Sequence, residues 1–547
     1  MDLLFLFSTL FCLWFVRTTK ASLFWIYLWQ LKEYHLGRFL DHFRTDKGKK
    51  LFLNPVIFFK IALFFYVLFL SRSTKLLPWQ LYAGWIFVLI IIYFFESIKF
   101  LKNFFQKTLK KPVLTKKTLT LISLALIVEI SFLYILFQSF YLVLSPNFYW
   151  FAFSLLTFDI LTPLITSIIV VLAQPFTVIF FRNKIIKKAK LRREEFKNLL
   201  VVGITGSYGK TSTKEFLAEI IAKNFKVLKT EEHQNSEVGI SLCILNDLNE
   251  SHDVFVCEMG AYNRGGIKLL CDIAKPKIGI LTGINEQHMA IFGSQENIIR
   301  TKFELIQALP EDGLAILNGS DAKIKNYNAK FKNIKICSTK EKMDIWAENI
   351  KVDKESISFR VLSKDKKSAN FKVNLLGVHN VENILMAAAA ARELGMTLRE
   401  ISLACKKIKP EKGGMKFLKN KKGVNIIDSS YSANPNGVVA DLEYLKTWEG
   451  KKIIVMPCLI ELGSASINVH KKIGEKIGEV CDLAVITTKE RFEEIKEGAA
   501  KSGMKAENIL LLGDPKEIYN KIESFCKKGD TILLEGRLPK ELINYLI

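Results

Sequence analysis

An all-α transmembrane bundle followed by α/β architecture is the fold class this sequence predicts, and three observations carry it. Long apolar runs crowd the first 200 of 547 residues. The basic charge is concentrated there too: residues 1–200 hold 26 Lys/Arg against 9 Asp/Glu, whereas the remainder holds 52 against 45. From residue 199 onward, short β-rich runs alternate with helical ones.

The apolar runs occupy about 1–31, 52–71, 79–98, 118–144 and 150–181. Most exceed the roughly 20 residues that cross a hydrocarbon core as a helix. The first opens Met-Asp without a basic flank, and Arg17 follows its apolar stretch, so it reads as a span rather than a cleaved signal; "RTTK" (17–20) interrupts it. Six Lys/Arg lie in 32–50, seven Lys in 99–117 and seven Lys/Arg in 182–193. The intervening "SRSTK" (71–75) has two and "SPN" (145–147) none. This alternation predicts five spans in a cell (inner) membrane, multi-pass, with the C-terminal part in the cytoplasm. It fits membrane lipid as a partner, not nucleic acid. Lys60, Glu129 and Asp159 lie within the runs, either paired inside the bundle or facing a cavity for a headgroup or substrate.

"LLVVGIT" (199–205), "DVFVCEM" (253–259) and "KIGILTG" (277–283) read as buried parallel strands, and 345–376 as a small antiparallel insertion. From about 415 a second series follows: "VNIID", "KKIIVMP", "DLAVITT", "NILLLG" and "DTILLEG", each before a helical stretch. Strand–helix alternation of this kind predicts a doubly wound sheet. The expected domains are 1–195, 196–412 and 413–547. The nine cysteines are scattered singly, without metal-like spacing, and read as small buried hydrophobes in a reducing compartment.

The first α/β strand runs into "GITGSYGKTSTKE" (203–215). Its T-G-x-x-G-K-T is shorter than the common G-x-x-x-x-G-K-[ST], because Ile204 stands where the first glycine would be. A strand entering a glycine turn and then a helix aims backbone N–H groups and the positive helix end at phosphates. Gly206, Ser207, Tyr208 and Gly209 form the turn, with Lys210, Thr211 and Ser212 opening the helix. Lys210 can reach terminal phosphates, and the Thr211 hydroxyl can ligate Mg²⁺. Glu258 ends an apolar strand, where a carboxylate serves Mg²⁺. His288 follows another strand end, and Lys302 lies on the next helix.

Six segments in order resemble the Mur ligases, the ATP-dependent amide ligases of peptidoglycan synthesis, most closely their MurF type. They are "GITGSYGKTSTKE", "EEHQNSEVGISL", "EMGA", "INEQHMAIFGSQENIIRTKFELI", "LLGVHNVENILMAAAAA" and "DSSYSANPNGVVADL". The resemblance covers residues 199–547. It implies a P-loop central domain that binds ATP and a C-terminal Rossmann-like domain that closes on it. It also implies a reaction in which a carboxylate becomes an acyl phosphate that an amine then attacks. Lys210, His288 and Lys302 would serve catalysis. Thr211 and Glu258 would hold one Mg²⁺, and His288 with a carbamylated Lys302 a second. Asn380, Asn383 and Asp428 would contact the nucleotide, although both asparagines also suit helix caps. Asn235, Tyr431, Asn434 and Pro435 would meet substrate: a muramoyl-peptide precursor, UDP-linked or lipid-linked, and an amino acid or dipeptide, D-Ala-D-Ala by resemblance.

Three departures qualify it. Gly414 stands where the family carries an arginine, leaving Lys412 or Lys416 as substitutes without its bidentate fork. Ser432 replaces the first asparagine of Y-N-A-N-P. Five apolar runs stand where a MurF-type enzyme has a soluble domain for the UDP-sugar. A membrane-associated polyglutamate-type ligase and a weakly active nucleotide-binding scaffold are the competing readings.

Overall fold

The five apolar runs fold as helices of 18 to 30 residues: Leu3–Leu31, Pro55–Arg72, Trp79–Phe105, Lys116–Leu142 and Phe148–Thr177. The computed structural model describes every residue except 1–2, 33, 35, 44–45, 73–78, 107, 143–147, 232–233, 328–330, 412 and 547. Most of 71–75, all of 145–147, and Arg44 and Lys107, which entered the loop-charge argument, therefore lie outside the described residues, as does Lys412. Among the described residues, three helical stretches are long and apolar enough to cross a membrane: Gly84–Phe105, Lys116–Ser139 and Trp150–Glu195. Pro55–Phe69 is apolar but shorter. Leu3–Leu31 runs as one unbroken helix through the polar Arg17–Lys20 stretch.

The chain divides into two units, Met1–Asn183 and Lys184–Ile547. In the first, charge inside the bundle is met by charge. Lys60 Nζ lies 2.6 Å from both Asp159 and Glu96, and Arg17 lies 2.9 Å from Glu96 and 3.6 Å from Asp159. Glu129, also buried, accepts hydrogen bonds from Ser22 (2.7 Å) and Thr19 (3.0 Å). Of the two roles the sequence left open, the contacts are those of pairing within the bundle: an ion placed in an apolar interior survives only with partners.

The second unit starts earlier than the expected boundary at residue 196. The basic helix Asn183–Glu195 buries Ile186 and Ala189 in the α/β core. The Arg193 guanidinium donates to the carbonyls of Ala274, Phe196 and Leu199 at 3.0, 2.8 and 3.0 Å. The segment that counts as a basic loop in the charge pattern is thus amphipathic, and its apolar face belongs to the α/β unit.

A nine-stranded sheet follows, made of β1 (Leu200–Thr205), β2 (Val227–Lys229), β3 (Val254–Glu258), β4 (Ile278–Leu281), β5 (Leu314–Asn318), β6 (Ile334–Ser338), β7 (Ile345–Val352), β8 (Ile357–Ser363) and β9 (Ser368–Val373). Its order is β2-β3-β1-β4-β5-β6-β7-β8-β9, with β2 to β7 parallel and β7-β8-β9 the expected antiparallel insertion. Alternation along β1 explains the two layers. Val202 and Ile204 face one core, with Phe216 and Ala387 from helices Lys210–Ile221 and His379–Glu393. Val201 faces the other, with Ile267 and Leu305.

A six-stranded sheet completes the unit: β10 (Lys416–Lys419), β11 (Asn425–Ser429), β12 (Lys452–Met456), β13 (Leu483–Ile486), β14 (Ile509–Leu511) and β15 (Thr531–Glu535), in the order β10-β11-β15-β12-β13-β14. Only β10 runs antiparallel. The five strands expected in this half are all present, with β10 added at the edge.

Candidate active site

Parallel pairing sets Ile204 opposite Glu258, and Thr205 opposite Leu281. The carboxyl ends of β3, β1 and β4 are therefore level, and the loops leaving them converge where the strand order reverses, the usual crevice for ligands in such sheets. The loop after β1 is the glycine turn. Gly206 (φ 155°) lies so close to the β4 loop that a Cβ there would collide with Thr282 Oγ1. Gly209 (φ 76°) leads into helix Lys210–Ile221, and a Cβ there would lie 2.5 Å from Asn383 Oδ1. Both positions need glycine for room and for backbone conformation.

Lys210 Nζ donates to the Ser207 carbonyl at 3.3 Å, folded back over its own turn. Burial lowers the Lys210 pKa, and Glu258 opposes that shift. Thr211 Oγ1 donates to Glu258 at 2.9 Å, and Asn235 Nδ2 donates to the other Glu258 oxygen at 3.0 Å. Fully buried Lys214 lies 3.9 Å from Glu258 and donates to the Thr230 carbonyl at 2.7 Å. Ser212 Oγ donates to Glu411 at 2.9 Å, and burial raises the Glu411 pKa. Tyr208 O–H donates to Asp321 at 3.3 Å.

From the other side, Asn383 Oδ1 accepts from Thr213 at 3.3 Å, while Asn380 Nδ2 donates to the Leu376 carbonyl at 2.8 Å. Both asparagines sit in the first turns of helix His379–Glu393, and neither caps it by a side-chain bond. Lys302, on helix Gln295–Gln307, is 4% exposed. Burial first, then the Lys210 charge, lowers its pKa to about 7. An amine in that range is about half uncharged at pH 7, and its neutral form is nucleophilic. His288 precedes the short helix Met289–Phe292 and holds a left-handed φ of 64°. Its Nδ1 lies 2.5 Å from Glu461, and Tyr262 packs edge-on at 5.1 Å. Burial lowers the His288 pKa against the opposing pull of Glu461.

The second domain brings its own loops to this edge. Asp428 is the penultimate residue of β11, where its carboxylate accepts from Ser430 N (3.0 Å) and its cross-strand partner is Lys416. Tyr431, half-exposed, lays its ring against Gly413. Asn434 caps helix Pro435–Lys446, Pro435 being its first residue, and also accepts from buried Asn285 at 3.0 Å. So the structure gathers Gly206 to Ser212, Asn235, Glu258, His288, Lys302, Asn380 and Asn383 around one turn. Asp428, Tyr431, Asn434 and Pro435 follow β11. Asn235 engages the Glu258 carboxylate.

Sequence reasoning missed Glu411, Asp321 and Glu461. The rule that singled out Glu258, a carboxylate ending an apolar strand, does not reach Glu461, which lies out in the loop beyond β12. Glu411 had no such signal either. Among the described residues no group of three or more His, Cys, Asp and Glu side chains gathers as a metal cage. One carboxylate with a hydroxyl is nevertheless what Mg²⁺ uses when phosphate oxygens complete its shell.

A phosphate-binding turn, a buried amine, a carboxylate–hydroxyl pair and a second α/β domain at the same edge define an ATP-using ligase, built to activate one group and admit another. Comparison with known proteins places it further. Residues 204–391 match the Mur ligase middle domain, and residues 413–538 the Mur ligase glutamate ligase domain. A UDP-N-acetylmuramoyl-tripeptide--D-alanyl-D-alanine ligase from Bacillus subtilis is 29% identical over 353 residues, 63% of this chain and 76% of that protein. Its Synechocystis counterpart is 32% identical, covering 61% and 71%. The crystal structure of a Thermotoga maritima MurF ligase in complex with ADP is 28% identical, with a TM-score of 0.58, covering 67% of this chain and 83% of that one. The chain belongs to the Mur ligase family, and is an ATP-dependent, ADP-forming ligase.

Proposed function

We propose that the chain joins D-alanyl-D-alanine to the terminal carboxylate of a muramoyl-peptide precursor at the cytoplasmic side of a membrane. Relatives with that printed activity match across the catalytic unit. The carrying observation is the cluster of Lys210, Thr211, Glu258, His288 and Lys302 around one phosphate turn. The multi-pass reading is supported by three membrane-length helices.

Bound ATP with Mg²⁺ would supply the phosphoryl group and neutralise its charge. Thr211 and Glu258 would hold one ion; they now bond each other, so the hydroxyl would release the carboxylate to serve the metal. Lys302, carbamylated by CO₂, would pair with His288 for a second; burial supplies the uncharged amine that this needs. Lys210 would swing from the Ser207 carbonyl onto the phosphates, screening them from the approaching carboxylate. The carboxylate oxygen attacks phosphorus and ADP leaves; the amine nitrogen then attacks the acyl carbon, loses a proton, and phosphate departs. Asn380, Asn383 and Asp428 would contact the nucleotide. Tyr431, Asn434 and Pro435 would lie along the incoming amine, and Asn235 would hold Glu258 in place.

The test incubates membranes carrying the full chain with ATP, labelled D-Ala-D-Ala, and either UDP-linked or lipid-linked precursor, followed by phosphate release and mass spectrometry. Phosphate release that is independent of the dipeptide, with no adduct on either precursor, refutes the proposal. Comparing the full chain with one shortened to Lys184, which keeps the packed basic helix, tests the membrane domain. Equal kcat/KM on both precursors would reduce that domain to a tether.

A further inference from the structure

Two non-glycine residues in the left-handed region face each other across the junction of the two α/β domains. His288 has φ 64°, and so does Glu461. For such residues this conformation is strained, and it persists only where surrounding contacts over-determine it. Here they do. The Glu461 carbonyl accepts from Ala290 N at 3.1 Å, and its carboxylate reaches His288 Nδ1 at 2.5 Å. Two residues on, Gly463 (φ 52°) approaches so closely that a Cβ would lie 3.0 Å from Ala290 N, and Ser464 Oγ donates to Met289 Sδ at 3.6 Å. The loop after β12 is thus moulded onto the His288 turn, with Glu461 12% exposed at its tip.

A carboxylate on Nδ1 fixes which imidazole nitrogen carries the proton. Nδ1–H donates to Glu461, and the Nε2 lone pair is left for a cation. The neighbouring charges acting on the ring are Lys302 and Lys210, both cationic, so Glu461 is the acidic counterweight. We infer that Glu461 is a positioning residue for the metal site: it orients His288, and only when the C-terminal domain is docked. The inference rests on the reading of His288 as a metal residue. It makes the second metal site a product of two domains, so the affinity of that site reports docking.

The test uses the full chain in detergent with MnCl₂ and ADP, counting bound Mn²⁺ by electron paramagnetic resonance. Glu461→Ala should weaken the second Mn²⁺ by about tenfold or more and leave the first unchanged. Glu461→Gln, which keeps an acceptor but loses the charge, should fall between Ala and wild type, as should Glu461→Asp. All three keep the backbone bond to Ala290, so melting temperature should hold, and kcat should fall more than the KM for ATP. If His288→Ala loses the second Mn²⁺ while Glu461→Ala binds as wild type, the inference is overturned. If His288→Ala also binds as wild type, the metal reading itself fails and takes the inference with it.

Discussion

Lys302 offers the sharpest quantitative test, since its chemistry depends on a proton that burial controls. A solvated lysine with a pKa of 10.5 is neutral in roughly 0.03% of molecules at pH 7, whereas one at about 7 is neutral in about half. Burial against Lys210 therefore raises the reactive fraction by about a thousandfold. Only the neutral amine attacks CO₂, and carbamylation releases a proton. Taking the pH from 7 to 6 at fixed dissolved CO₂ lowers the neutral fraction from about one half to about one tenth, so carbamate should fall at least about fivefold. The assay is ¹³C NMR of the full chain equilibrated with ¹³CO₂, read beside ADP formation over the same pH range. Lys302→Ala should lose the carbamyl signal and most activity, with partial rescue by short carboxylic acids. A Lys302→Ala protein active at ordinary Mg²⁺, or a carbamyl signal that persists without Lys302, would refute the reasoning.

Three further outcomes are expected. Lys210→Ala should keep the fold, because its ammonium makes one 3.3 Å bond within its own turn, yet lose turnover by a factor of about 100 or more; near wild-type phosphate release from a folded variant rules out the assignment. Lys60→Met should destabilise the helical bundle by about 3 kcal/mol or more in denaturant titration, since it strips a buried partner from Asp159 and Glu96; the double variant Lys60→Met, Asp159→Asn should recover much of that loss, and additive losses would deny the coupling. Asp441 and Glu535 are buried together, with Ser429 donating to Asp441 at 2.6 Å, and burial raises both pKa values. Groups whose folded pKa is raised stabilise the fold at low pH and lose that contribution as pH rises through the folded value. Glu535→Gln, neutral at every pH, should therefore flatten the fall in α/β melting temperature as pH rises above the ordinary carboxylate range, and an unchanged slope counts against a shared proton.

By itself the sequence determined what local pattern can determine. The period-free apolar runs read as long helices, and the β-rich runs from 199 to 535 as buried parallel strands, apart from the alternating segment 345–376, which reads as antiparallel. T-G-x-x-G-K-T after a strand could hardly be anything but a phosphate turn, because two of its positions admit only glycine. Glu258 and His288 were singled out on one ground: the first ends a strand, the second lies beyond one, and strand ends are where open α/β sheets place their chemistry. The tertiary structure decided what distant segments do to one another. Charge composition made 182–193 look like one more basic loop, but Ile186, Ala189 and Arg193 dock it into the α/β core. Nothing near residue 60 announces that Lys60 meets residues 96 and 159, and nothing near 302 announces an amine buried deeply enough to titrate near neutrality. Glu461 lies 173 residues from His288 and reaches it only because two sheets present their loops to one junction. Pairing, desolvation and backbone strain are properties of neighbours in space, and a one-dimensional pattern carries them only when those neighbours are also close along the chain.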